Sequence, residues 1–285
     1  MITCKDIKQL RSQVSQWRKE GETVAFVPTM GHLHDGHLSL IDIAKQKASR
    51  VVVSIYVNPL QFAPDEDFDS YPRTLEDDLE KLETRDTDLV FLPDGSMIYP
   101  QGEQYSAFVE VPELTYIIEG EFRPEFFRGV ATVVLKLFNL VQPDIAVFGE
   151  KDFQQLLIIR RLVEDMCLPI EIIGGPTGRE GNGLAMSSRN AYLNEQERDK
   201  SRLFSASLAE FRYQIEAGNG FAEAQADCVK TLQDSNFAVD YVTLRETSCL
   251  DVVSESDIIK GKELIILAAV KLGKTRLIDN LKFTL

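Results

Sequence analysis

The three histidines of the chain, His32, His34 and His37, crowd into one stretch, Val27-Pro-Thr-Met-Gly-His-Leu-His-Asp-Gly-His37. Core histidines placed for packing would not bunch in this way. His34-Asp-Gly-His37 has the His-x-Gly-His pattern. In it a glycine lets a polyphosphate approach the backbone, while imidazoles and the open amides of a helix start meet developing negative charge. The chemistry indicated is transfer at phosphorus. A pair of surface or metal-binding histidines is the rival reading, and it lacks a nearby cysteine or third ligand. His32 is expected to be an exposed loop residue.

Other segments offer compatible groups. Gly149-Glu-Lys-Asp152 presents Lys151 and helix amides to a phosphate, with a plain charged turn as its rival. Met186-Ser-Ser-Arg189 brings two hydroxyls and a guanidinium that could close over a triphosphate as a second domain docks; the alternative is a helix cap region with Asn190. Asn58-Pro-Leu-Gln-Phe62 and Gln155 supply amides that can hold a hydroxyl or carboxylate without adding charge, and simple surface polarity would account for either glutamine as well. The acidic stretch 65–69 is expected to be solvated, whereas Asp77 and Asp78 could direct an oxygen toward Mg²⁺.

Strands and helices must bring these groups together. The spacing of Thr3 and Asp6, followed by Ile7, Leu10, Val14 and Trp17 at helical period, predicts an opening amphipathic helix with a capping box. Strands are predicted over 23–27, 51–57, 88–92, 144–148 and 170–173. Helices are predicted over 38–48, 74–84, 128–141 and 153–165. Strand and helix alternate, which predicts an α/β fold with a Rossmann-like doubly wound parallel sheet. The phosphate-facing loops then leave the carboxyl edge of that sheet.

The alternation breaks at the glycine-rich connector 174–183. Helices over 194–216 and 221–232, then strands over 238–245, 263–271 and 275–280, predict a second, smaller α+β carboxyl-terminal domain. The domains are therefore read as 1–178 and 179–285.

The chain has 285 residues, a 44% hydrophobic content and a formal charge of −14, enough for a substantial core. The acidic balance argues against nucleic acid or an anionic membrane surface as partner. Cys4, Cys167, Cys228 and Cys249 form no Cys-x-x-Cys pair, which points to a reducing cytoplasm. No signal peptide is expected, because residues 1–8 are too polar for one, and no membrane span, since the best apolar run covers only 264–270.

Taken in order, several motifs resemble those of the pantothenate synthetases, a family of ligases. They are Pro28-Thr-Met-Gly with His-x-Gly-His, Asn58-Pro-x-Gln-Phe, Tyr71-Pro-Arg-Thr74, Phe127-Arg-Gly-Val-Ala-Thr132, Phe148-Gly-Glu-Lys-Asp and Gly183-Leu-Ala-Met-Ser-Ser-Arg-Asn190. The likeness runs nearly end to end, though few residues of the carboxyl-terminal domain are diagnostic. It implies ATP-dependent joining of pantoate and β-alanine through a pantoyl adenylate, with release of pyrophosphate and then AMP, in pantothenate and coenzyme A biosynthesis. Mg²⁺ would accompany ATP, and the enzyme would be a homodimer.

Carried over by position, Met30, Gly31, His32, Leu33, His34, Asp35, Gly36 and His37 resemble the ATP-binding segment. Gly149, Glu150, Lys151, Asp152, Gly178, Met186, Ser187, Ser188 and Arg189 would complete the nucleotide site. His37 would act as proton donor or transition-state stabiliser, with His34, Lys151 and Arg189 on the phosphates. Gln61 and Gln155 would clamp pantoate, Gln61 would also border β-alanine, and Asp77 would contact Mg²⁺.

Four positions depart from the family pattern. His32 stands where a small residue is usual, Phe126 replaces a histidine, Gly178 an apolar residue near the adenine, and Asn182 an acidic one. Two rival activities share the His-x-Gly-His edge. One is a nucleotidylyltransferase that leaves a stable nucleotide-bearing product, and the other is a sensor that binds ATP without turnover.

Overall fold

The computed structural model describes residues 1–64, 66–254 and 257–285. The chain forms two compact units, Met1–Glu150 with Gln155–Pro176, and Lys151–Gln154 with Thr177–Leu285.

The first unit is a six-stranded sheet of β1 (Ile2–Cys4), β2 (Val24–Thr29), β3 (Arg50–Ile55), β4 (Leu89–Phe91), β5 (Ile145–Gly149) and β6 (Glu171–Gly175), in the order β1-β4-β3-β2-β5-β6. All its pairings are parallel. Helices alternate with the strands: α1 (Ile7–Lys19), α2 (Asp35–Lys47), α3 (Leu75–Thr84), the short α4 (Gly95–Ile98) and α5 (Glu119–Phe122), α6 (Phe126–Val141) and α7 (Phe153–Asp165).

Parallel strands covered on both faces read as continuous apolar runs, and β2 and β3 do. Their alternation sorts the core into two layers. Val24 and Phe26 pack with Leu10, Val14 and Trp17 of α1 and Val130, Val134 and Leu137 of α6. Ala25 and Val27 pack on the opposite face with Leu38, Ile41 and Ala44 of α2 and Leu82 of α3. The doubly wound α/β architecture is as the alternation predicts.

The amino terminus differs from expectation. Residues 2–4 form the edge strand β1, paired with β4, and Asp6 alone caps α1 by accepting from the Gln9 amide. Three residues are too few for a periodic signal, and pairing with β4 supplies what local propensity does not.

In the second unit, β7 (Ala238–Glu246), β8 (Glu263–Leu272) and β9 (Thr275–Thr284) form an antiparallel sheet with β8 central. The helices α8 (Glu195–Glu216) and α9 (Phe221–Asp234) bury Phe204, Leu208, Phe211 and Leu232 with Leu264, Ile266 and Val270. Asn194 and Glu197 form the capping box that starts α8.

Candidate active site

Strand order reverses at β2, whose neighbours are β3 on one side and β5 on the other. Ligands of open α/β sheets bind in the crevice that such a reversal leaves at the carboxyl ends of the strands. Three of the expected segments start there on adjacent strands: 30–37 after β2, 58–61 after β3, and 149–150 at the end of β5.

The loop after β2 turns sharply. Gly31 and His32 both have positive φ, +81° and +49°, and a Cβ on Gly31 would lie 3.1 Å from both Asp78 Oδ2 and the Ile55 side chain. Glycine is therefore favoured by backbone and by space. Asp78, only 1% exposed, holds the turn: its carboxylate accepts from the amides of His32 at 2.9 Å and Leu33 at 2.7 Å. Lys81 Nζ donates to the Leu33 carbonyl at 2.8 Å, and Thr74 Oγ1 lies 3.3 Å from His32 Nδ1. Thr74, Asp78 and Lys81 follow the i, i+4, i+7 spacing of one helix face. His32 is thus half-buried and tied, not the exposed loop residue expected, because its backbone is one of the two donors that Asp78 captures.

His34 is the N-cap of α2, so the helix starts at Asp35, three residues earlier than the apolar period suggests. The rings of His34 and His37 lie 4.0 Å apart between centroids, tilted by 37°. The His34 amide donates to His37 Nδ1 at 3.4 Å. A backbone amide can only donate, so Nδ1 accepts, and the neutral His37 ring carries its proton on Nε2.

After β3, Asn58 is wholly buried and makes three contacts. Its Nδ2 donates to the Gly129 carbonyl at 3.2 Å and to Gln61 Oε1 at 3.0 Å, while Oδ1 accepts from the Tyr99 hydroxyl at 2.7 Å. Helix α6 and this loop touch through backbone: a Cβ on Gly129 would fall 2.0 Å from the Leu60 carbonyl oxygen. The Gln61 carbonyl accepts from Arg123 at 3.0 Å, and Arg123 also makes a two-pronged pair with Glu66 at 2.7 and 2.6 Å. Phe126 supplies a ring face 3.7 Å below the Arg123 guanidinium carbon, which gives this unusual aromatic a packing role. Gln155 is half-buried on α7 within the first unit.

Asp77 is exposed in the first turn of α3, beside the buried Asp78. Asp67 and Asp69 are described, half-buried and exposed respectively, while Asp65 lies outside the described residues. Among the described residues no three His, Cys, Asp or Glu side chains gather as a metal cage.

In the second unit, Lys151 Nζ lies 3.8 Å from Asp152, and the Lys151 carbonyl accepts from Asn280 Nδ2 at 2.8 Å. The segment 178–190 closes on itself. Arg179 bridges to Ala185, and the Met186 amide donates to the Gly178 carbonyl at 2.9 Å. Arg179 pairs with buried Asp279 at 2.7 and 3.0 Å. Asn190 donates to Glu180 at 2.7 Å and to the Ala185 carbonyl at 3.1 Å, and Arg198 donates to Glu180 at 2.8 Å and to the Asn190 carbonyl at 2.9 Å. Ser187 Oγ accepts from the Arg189 amide at 3.3 Å, which starts a short turn through Ser188 and Arg189. Asn182 donates to the Arg198 carbonyl at 3.1 Å, a bond that an ionised carboxylate in its place could not make.

Asp78, Asn58, Tyr99 and Gly129 are the contributors that motif reading did not single out for these contacts. A helix face spaced 74, 78 and 81 is visible in the chain; which loop it meets is not.

The sequence profile of the pantoate-beta-alanine ligase family matches residues 2–282. The chain is 50% identical over 284 residues to a pantothenate synthetase of Shewanella amazonensis, covering 100% of both. It is 49% identical over 278 residues to that of Methylococcus capsulatus, covering 97% of this chain and 96% of the other. Its fold is similar to the crystal structure of pantothenate synthetase from Thermus thermophilus, with TM-score 0.90, 42% identity and 99% coverage of each chain. It is also similar to pantoate-beta-alanine ligase from Francisella tularensis complexed with beta-gamma ATP and beta-alanine, with TM-score 0.82, 34% identity, and coverage of 99% of this chain and 97% of the other.

Proposed function

This chain belongs to the pantoate-beta-alanine ligase family, and from that premise we propose that it condenses pantoate with β-alanine at the carboxyl edge of its parallel sheet. The end-to-end match, which includes every loop of that edge, is the observation that carries the reading.

The reaction is an ATP-dependent ligation in two displacements. A pantoate carboxylate oxygen attacks the α-phosphorus of ATP, the bond to the leaving oxygen breaks, and pyrophosphate departs. The β-alanine amine then attacks the acyl carbon of the pantoyl adenylate, the amide forms with loss of a proton, and AMP leaves. The first step makes the carboxyl carbon acylable, which an anion alone is not. Since little covalent help is available at phosphorus, positioning and charge stabilisation do the catalysis.

Each residue has a part in this. Residues 30–37 receive ATP, with His37 presenting its Nε2 proton to a phosphate oxygen and His34 beside it. Residues 149–152, Gly178 and 186–189 complete nucleotide binding, with Lys151 and Arg189 opposing phosphate charge. Gln61 and Gln155 hold pantoate through neutral amides, so no added charge competes with the nucleophile's approach to ATP. Gln61 also borders β-alanine.

Mg²⁺ would enter with the nucleotide and offset phosphate charge. Such an ion needs only one or two carboxylates beside phosphate oxygens. Asp77, exposed on α3, can supply one, while both Asp78 oxygens already accept backbone amides. We place the enzyme in the cytoplasm, where its four unbridged thiols suit a reducing compartment, and as a homodimer, which sedimentation showing only monomer would overturn. No described helix is long and apolar enough to cross a membrane.

The direct test supplies Mg·ATP and pantoate to purified protein with and without β-alanine. The expected result is AMP and pantothenate together, dependent on β-alanine. A stable nucleotide-bearing product would indicate nucleotidyl transfer instead, and ATP binding without pyrophosphate release would indicate a sensor.

A further inference from the structure

A glutamine side chain can face a ligand with its NH₂ or with its oxygen, and the two choices select opposite partners. Here the contacts around Asn58 fix which end of the Gln61 amide faces Asn58 and which is turned away from it. The Gly129 carbonyl can only accept. Asn58 must therefore point Nδ2 at it, across 3.2 Å. The reverse orientation would set two oxygens against each other in a site with no exposure to water.

With Nδ2 so placed, Asn58 Oδ1 faces the Tyr99 hydroxyl at 2.7 Å and needs a donor there. Tyr99 is one: it is buried, and burial pushes its phenol above the ordinary tyrosine range, so the proton stays on. Lys136 fixes the segment that carries Tyr99, since Nζ donates to the Ile98 carbonyl at 2.9 Å and lies 5.0 Å from the Tyr99 ring centre. The second hydrogen of Asn58 Nδ2 meets Gln61 at 3.0 Å. Gln61 must answer with Oε1, which leaves its NH₂ turned away from Asn58.

We infer that Gly129 and Tyr99, acting through Asn58, lock the Gln61 amide so that its NH₂ and not its oxygen meets the substrate, making Tyr99 a positioning residue for recognition of an acceptor oxygen. This rests on the reading of Gln61 as a pantoate contact and adds the polarity of that contact. The polarity suits the chemistry: pantoate must react as a carboxylate, which an NH₂ group attracts and a glutamine oxygen repels.

Pantoate KM, ATP KM and kcat would be compared for Gln61→Ala, Gln61→Glu and Tyr99→Phe, with thermal unfolding as the check on folding. Gln61→Ala should raise pantoate KM about tenfold, the worth of one lost hydrogen bond. Gln61→Glu should raise it further, because an oxygen then faces the carboxylate. Tyr99→Phe should raise pantoate KM about threefold or more while leaving ATP KM in place, through the loosened Asn58.

The outcomes separate. An unchanged pantoate KM in Gln61→Ala removes the underlying reading of Gln61. A normal effect there, with Gln61→Glu binding pantoate as well as or better than Gln61→Ala, overturns the polarity alone. An unchanged pantoate KM in folded Tyr99→Phe overturns the role of Tyr99. If Tyr99→Phe does not fold, the order of the two Gln61 variants still decides the polarity.

Discussion

The turn at 30–34 has both its central amides, those of His32 and Leu33, held by one buried carboxylate, Asp78, whereas 178–190 is tied by a web of side chains around Glu180, Asn190 and Arg198. The first arrangement is geometrically strict, because backbone donors cannot swing to a new partner when the acceptor is lost. The second is distributed. Arg198 is 45% exposed and Glu180 22%, so water can replace a missing bond. The turn that leads into His34 and His37 is thus held rigidly, and the turn through Ser187, Ser188 and Arg189 is held with redundancy.

The largest effects should come from removing the chemistry while leaving both tethers intact. His37→Ala and Lys151→Ala are each expected to slow pyrophosphate release by about 10²–10³, the worth of a lost charge-stabilising donor. Thermal unfolding should stay near that of the parent. Parental rates at parental stability would sink the assigned roles.

Next comes the tether itself. Asp78→Asn puts an NH₂ against a buried backbone amide and should cost about 2 kcal/mol in denaturant unfolding, together with a fall in adenylate formation. Arg198→Ala should cost about 1 kcal/mol or less, since Glu180, its charged partner, keeps access to water. Equal losses from the two would erase the contrast between a strict and a redundant loop. The smallest effect is expected at Gly178, which would lend the proposed nucleotide site backbone only. Gly178→Val should lower ATP KM a few-fold by adding apolar contact, at about 1 kcal/mol; an unchanged ATP KM would exclude loose adenine packing there.

Particular elements show what the linear chain made legible. Val51, Val52 and Val53 announce a buried strand because β-branched apolar residues suit a pleat covered on both faces. The long apolar run of α6 and the spacing of His34 and His37 were equally open to reading, since periodicity and turn chemistry are local. The edge strand β1 was not, because three residues carry no period. His32 misled for a related reason: a histidine in a polar loop looks solvated until Asp78, 46 positions further on, takes its amide.

By itself the amino-acid sequence determined the alternating α/β order, the second α+β unit, and the residue types able to handle phosphate and a carboxylate. Those features rest on local propensity and on pattern, which are written contiguously. The aim of those residues was decided only by the tertiary structure. Asn58, Tyr99 and Gly129 meet because the loop after β3 and the end of α4 both pack on α6, and the direction of a hydrogen bond depends on which carbonyl stands opposite. Strand order likewise put the loops after β2, β3 and β5 at one edge, through parallel pairings between segments far apart in the chain.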